Sequence, residues 1–302
     1  MKAPSIRRRL TALVLATAVP AALLVAALIA YEHQRDRQRV EQEAIGTART
    51  LALAVDRELI GVELAARVLA TSHRAHTGDF EGFRQRAEEV VATGVGDAVV
   101  LADRDGQQVV NTLRKPGEPL PKNANLPLLR EVLATGRPVV SGLFVGGVLG
   151  RPLASVAVPV VSDGVVTYML GIGVRAERFR ALLDEQKLPE GWIGAVYDRS
   201  GTVVARTQEQ ERRVGTKGAP RLLRRIAETP EDTLEAVTEE GIPVVAAFSR
   251  SPVTGWAVVL GIPRASLVAP LWRRSLLAAG IAAAMLALGF ALAWSIGGSI
   301  AR

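Results

Sequence analysis

The 302-residue chain contains no cysteine, which excludes disulfides, thiolate nucleophiles and cysteine-ligated metals and leaves compartment unreadable from redox chemistry. Histidine is nearly as scarce. Only His33, His73 and His76 occur, and the His73/His76 pair at a helix end falls short of the three or four ligands that a metal site needs. Lysine is confined to five positions and aromatic residues make up 4% of the chain. Gly146-Gly147-Val148-Leu149-Gly150 lacks the Lys-Ser/Thr ending of a phosphate loop and reads instead as a loop bordering a pocket. Asp105 and Asp198 belong to separate turns and do not form a carboxylate pair. No catalytic grouping, metal site or cofactor is expected.

A field of one sign is also missing from the middle of the chain. The net charge is +7, a value that invites a nucleic-acid reading. Residues 1–31 hold Lys2, Arg7, Arg8 and Arg9 with no acid, and residues 272–302 hold Arg273, Arg274 and Arg302 with no acid. Those seven account for the whole excess, leaving 30 basic and 30 acidic side chains between them. Nucleic acid is therefore excluded as a partner.

What is present begins with two uncharged apolar runs, residues 10–30 and 276–300. About 20 such residues cross roughly 30 Å of hydrocarbon as a helix. The first run follows Arg7-Arg8-Arg9, a flank that holds an N-terminus in the cytoplasm. It is longer than a signal-peptide core and lacks a clear small-x-small cleavage site, so it reads as an uncleaved anchor. Two crossings place the charge-balanced middle outside the cytoplasm of a bacterial inner membrane.

Beyond the first run, Val40, Ala44, Ala48, Leu51, Val55, Leu59, Val62, Ala66 and Leu69 recur in steps of three and four, the period of an amphipathic helix. A short helix is expected near residues 80–92. Two hairpin signals then follow, Asp103-Arg104-Asp105-Gly106 and Asp198-Arg199-Ser200-Gly201, each preceded by an apolar run and followed by Val and Thr at matching offsets. Gly171-Ile172 and Gly261-Ile262 form a second pair at a similar spacing. The repetition predicts two copies of one α+β unit, each a hairpin, a helix and an antiparallel meander. The predicted helices are residues 126–134 and 219–228. The predicted strands are 138–145, 154–161 and 165–173 in the first copy, and 234–238, 243–249 and 255–262 in the second.

The sequence carriers Asp103-Arg104-Asp105-Gly106, Gly136-Arg137-Pro138-Val139-Val140-Ser141, Leu188-Pro189-Glu190-Gly191-Trp192 and Ser251-Pro252-Val253-Thr254-Gly255-Trp256 give the chain a family likeness. It resembles the extracytoplasmic double-Cache sensor domains of bacterial receptors, most of all those of histidine kinases in two-component systems. The resemblance implies two membrane-spanning helices flanking a stalk helix and two tandem PAS-like lobes. In residue ranges this is a basic N-terminus (1–9), a span (10–31), a stalk (32–78), a membrane-distal lobe (79–187), a membrane-proximal lobe (188–270), a second span (275–296) and the start of a cytoplasmic linker (297–302). It also implies a small-molecule ligand in the distal lobe, a homodimer, and a cytoplasmic kinase output acting in cis or in trans. The alternative is a membrane-anchored protein-interaction module without a small-molecule ligand. Family members that bind amino acids carry an Arg-x-Trp-Tyr signature, which is absent between Thr112 and Gly173. The distal lobe's polar candidates for ligand contact are Asn111, Arg114, Arg137, Arg151, Ser155 and Tyr168, and the three arginines suggest an anionic ligand.

Overall fold

The computed structural model describes residues 6–266 and the isolated positions 280, 284, 287 and 291. The expected second span lies outside the described residues apart from those four positions. The first falls within α1 (Ile6–Ala70), a helix of 65 residues containing Pro20. Among the described residues, no helix is long and apolar enough to cross a membrane. Contacts group Ala44–Ile262 into one compact unit, with the residues on either side forming another.

Within the compact unit, the α1 stripe behaves as its period requires. Ala44, Ala48, Leu51, Val55, Leu59, Val62, Ala66 and Leu69 are all buried, because steps of three and four return to one face of a helix. That face packs on a continuous core drawn from both sheets, including Leu101 and Ile172 of the first and Val196, Val258 and Leu260 of the second, with Trp256 beside them. Asp56, 4% exposed, adds a polar tie: its carboxylate accepts from Ser251 Oγ at 2.7 Å and Thr254 Oγ1 at 2.9 Å.

After α2 (His73–Thr77) and α3 (Phe80–Ala92) comes the first sheet. Its strands are β1 (Ala98–Asp103), β2 (Gln108–Asn111), β3 (Val139–Val140), β4 (Phe144–Val145), β5 (Pro152–Ser162) and β6 (Val165–Arg175), with α4 (Leu126–Thr135) between β2 and β3. The order is β2-β1-β6-β5-β3, and β4 pairs with β5. The single strand predicted at 138–145 is thus two short strands; Ser141 and Gly142 interrupt it, and the Ser141 side chain bonds Ser155 N at 2.8 Å and Gly142 O at 2.6 Å.

A second sheet follows α5 (Ala176–Glu185). It comprises β7 (Ile193–Tyr197), β8 (Val203–Arg206), β9 (Glu231–Val237), β10 (Pro243–Arg250) and β11 (Ala257–Pro263), in the order β8-β7-β11-β10-β9. Helices α6 (Gln210–Arg213) and α7 (Pro220–Glu228) lie between β8 and β9. Both sheets have the same order and the same antiparallel pairing of the first and last strands.

Over the β1–β2 hairpin and the loop that follows it, the two copies agree in fine detail at an offset of 95 residues. The isolated bridges Gln107–Lys122 and Thr202–Lys217 correspond. Thr112 Oγ1 accepts from Val99 N at 3.0 Å and Thr207 Oγ1 from Gly194 N at 3.0 Å. Asp103 closes its turn by accepting from the amides of Asp105 and Gln107, as Asp198 does from Ser200 and Thr202. Gly106 and Gly201 sit at φ of 82° and 77°, the left-handed region that a residue with Cβ adopts at a cost.

Candidate functional site

Each sheet buries one face on the core shared with α1 and turns the other towards its own short helix. In a strand, alternate side chains point to opposite faces. In β6, Leu170, Ile172 and Val174 join the α1 core, while Met169, Gly171 and Gly173 face the other way. There, beneath α4 and the β4–β5 connection, lies a cavity of about 70 Å³. Gly171 and Gly173 form part of its floor, where missing side chains leave the space; a Cβ on Gly171 would come 3.1 Å from Ser155 Oγ.

Asn111 and Ser155 line this cavity together with Gln108, Asn123 and Asn125. Asn111, only 1% exposed, donates from Nδ2 to Gln108 Oε1 at 2.8 Å and accepts from Leu113 N at 2.9 Å. Ser155 Oγ donates to Ile172 O at 3.2 Å. Asn125 caps α4, accepting from Leu128 N at 3.1 Å, and Asn123 accepts from Asn125 N at 3.0 Å. The carboxamide oxygens are engaged, and no acceptor among the described residues meets the side-chain N–H groups of Gln108, Asn123 and Asn125. The lining therefore offers amide donors and carries no charged side chain.

The other four residues lie elsewhere. Arg114 is on the loop after β2, where its carbonyl accepts from Arg84 and its guanidinium lies 3.7 Å from Glu118. Arg137 follows Gly136, the left-handed C-cap of α4, and is exposed. Arg151 is exposed in the β4–β5 connection, next to the Gly146–Leu149 segment whose residues line the cavity. Tyr168 precedes Met169 on β6 and so faces the opposite side, its ring edge-on to Phe80 at 5.8 Å. Because none of the three arginines lines the cavity, the basis for an anionic ligand there is gone. Gln108, Asn123 and Asn125 were not singled out from the sequence. Their amides become a set only once the β2 end and the α4 cap are brought together.

The segment before β4 is tied to the turn that follows β7. Leu143, immediately before β4, donates its N–H to Asp198 Oδ2 at 2.9 Å. Asp198 is 4% exposed, and its Oδ1 accepts from Ser200 N, Ser200 Oγ and Thr202 N at 2.7–2.9 Å. Nearby, Arg199 pairs with Glu131 of α4 at 2.9 Å. His76 bonds Ser162 Oγ at 2.9 Å, and no metal-ligating cluster exists among the described residues.

No protein-family model matches the sequence, and neither does any curated protein. Solved structures do match. The extracellular domain of the candidate histidine kinase rpHK1S-Z16 superposes with a TM-score of 0.68 at 16% identity, covering 76% of this chain and 97% of that one. Methyl-accepting chemotaxis protein X gives 0.63 at 14% identity, covering 76% and 99%. The ligand-binding domain of the Campylobacter jejuni chemoreceptor Tlp3, in complex with L-valine, gives 0.57 at 11% identity, covering 79% and 98%. The chain therefore has the double-Cache-like fold of the extracellular sensor domains of histidine kinases and chemoreceptors, two antiparallel sheets built along one long N-terminal helix.

Proposed function

We propose that the chain is the extracytoplasmic sensing module of a bacterial transmembrane receptor, binding a small uncharged molecule in the first lobe. The observation that carries this is the cavity itself: a pocket, partly open to solvent, lined by amide groups with no acceptor among the described residues, in a fold shared with a domain solved in complex with L-valine. Such donors fit the carbonyl or hydroxyl oxygens of a neutral metabolite. A protein-interaction module has no need of such a space.

The two apolar runs of the sequence anchor the module, with residues 32–271 outside the cytoplasm and the first lobe distal to the membrane. Ligand binding shifts the equilibrium by its difference in affinity for two arrangements. The change passes along α1 as a small helix displacement to a cytoplasmic output, a histidine kinase in this reading. The stripe Leu53, Ile60, Leu64 and Val68 is exposed on the outer face of α1 and suits the same stripe on a second copy. The module thus works as a homodimer.

The full chain in lipid nanodiscs, screened against neutral metabolites by thermal denaturation, tests the reading. A ligand at about 100 times its Kd adds about 2.7 kcal/mol, a rise of roughly 5–11 °C for a domain of this size. Gly171→Val, which fills the cavity, is expected to abolish the rise. A library without a single stabilising compound, or a variant that responds as the parent does, overturns it.

A further inference from the structure

A second cavity, of about 90 Å³, lies on the corresponding face of the second sheet, beneath α7 and beside the β9–β10 turn. It occupies the equivalent position in the duplicated unit. Val100, Asn111 and Ala124 line the first cavity, and Ala195, Arg206 and Ala219, each 95 residues further on, line the second. The substitution that matters is Arg206 for Asn111. It exchanges a neutral carboxamide for a guanidinium in a place where the residue is 8% exposed. Gln108 is likewise replaced by Val203, which makes the wall more apolar. The cavity that offers amides in one copy offers Arg206 above an aliphatic surface in the other, with Arg213, Lys217 and Glu239 also in its lining.

The partner of that cation comes from the β9–β10 turn. Glu240 lies across Arg206 in a two-pronged contact of 2.5 and 3.0 Å and also reaches Arg213 at 3.0 Å. Arg213 pairs in addition with Glu239 and with Glu209. Arg213 keeps those carboxylates if Glu240 leaves, whereas Glu240 is the one acid among the described residues in direct ion-pair contact with Arg206, Glu209 acting on it only from further off. A planar carboxylate set on a planar guanidinium is the geometry that a ligand carboxylate reproduces.

We propose that the second lobe carries its own ligand site, for a small carboxylic acid with a short aliphatic tail. The ligand carboxylate takes the place of Glu240 on Arg206, and the tail lies against Ala195, Val203, Leu222 and Val259. Glu240 then moves into water and releases the β9–β10 turn, so the turn's position reports occupancy. Exchange of one ion pair for another keeps Arg206 partnered throughout and avoids the large penalty of a buried unpaired charge. The site is independent of the neutral-ligand site assigned to the first lobe.

Calorimetric titration of the full chain in nanodiscs with propionate, butyrate and valerate, and with butyramide as the uncharged counterpart, tests this. Butyrate is expected to bind and butyramide to bind at least tenfold more weakly. Glu240→Gln, which removes the competing carboxylate, is expected to tighten butyrate binding about tenfold, a gain of about 1.4 kcal/mol. Arg206→Gln is expected to weaken it by at least as much. The opposite signs protect the result, because a variant that merely misfolds does not bind more tightly. The proposal falls if no carboxylate binds either the parent or Glu240→Gln, if butyramide binds as butyrate does, or if neither variant changes the affinity. It falls equally if Gly171→Val, which closes only the other cavity, abolishes butyrate binding.

Discussion

Removing the Asp198 carboxylate measures how firmly the two lobes are coupled. Asp198→Ala strips an acceptor from Leu143 N, Ser200 N, Ser200 Oγ and Thr202 N. The duplicated unit supplies an internal control, since the Asp103 carboxylate accepts from Asp105 N at 3.0 Å and Gln107 N at 2.8 Å and, among the described residues, makes no bond to the other lobe. Hydrogen bonds to a charged group contribute about 1.5–3 kcal/mol when buried, and less where water reaches the donors. Amide closure of the turn is common to both residues and is assigned about 1–2 kcal/mol; the part-buried bond to Leu143, with the Ser200 Oγ contact that Asp103 lacks, adds about 2 kcal/mol. Asp198→Ala is therefore expected to cost about 3–4 kcal/mol and Asp103→Ala about 1–2 kcal/mol. At about 2–4 °C per kcal/mol, the melting temperatures should fall by roughly 6–16 °C and roughly 2–8 °C. Urea titration of the full chain, followed by the fluorescence of the buried Trp256, reads the same difference as free energy. Equal losses for the two variants would refute the reasoning, because the bond between lobes would then contribute nothing.

Acid should act through the Arg206–Glu240 pair. The Arg206 hydrogen bond holds the Glu240 carboxyl well below the usual carboxylate range, so its stabilisation is complete above the unfolded value of about 4.3 and is lost as pH falls towards the depressed folded value. Melting temperature measured from about pH 6 down to about pH 3 should decline more in the parent than in Glu240→Gln, and parallel curves would contradict this. Dimerisation through α1 is tested by placing cysteine at Leu64 in a chain that has none of its own. Oxidation in membranes should yield a covalent dimer, whereas an exclusively monomeric product, with cysteine at Leu53 and Val68 also unreactive, would reject the arrangement.

Periodicity made much of the fold legible. The α1 stripe named nine positions from Val40 to Leu69; the eight from Ala44 onwards are buried and Val40 is half-buried. The paired hairpin signals anticipated two like sheets, because turns depend on local φ requirements that Asp and Gly announce; the Gly-Ile pairs do not coincide, since Ile172 opposite Val99 has Leu260 opposite Gly194 as its counterpart, two residues short of Ile262. The cavities were less legible, since they depend on which strand face looks away from α1. Tyr168 and Met169 are neighbours in sequence and lie on opposite faces of the first sheet. Arg137 and Arg151 drew notice for their charge, yet one follows a helix cap and the other lies on a loop. The second cavity left no signal, because Arg206, Arg213 and Glu240 meet only after α6 and the β9–β10 turn converge.

The two-sidedness of each sheet separates two tasks that would otherwise compete. Positions that grip α1 stay aliphatic in both copies: Leu101 and Val196 correspond, as do Leu170 and Val258, and Ile172 and Leu260. Positions on the far side differ freely, an amide in one copy and a guanidinium in the other. A strand can thus exchange one chemical taste for another without loosening its hold on the helix behind it, and a new specificity can be installed in either lobe one alternate residue at a time.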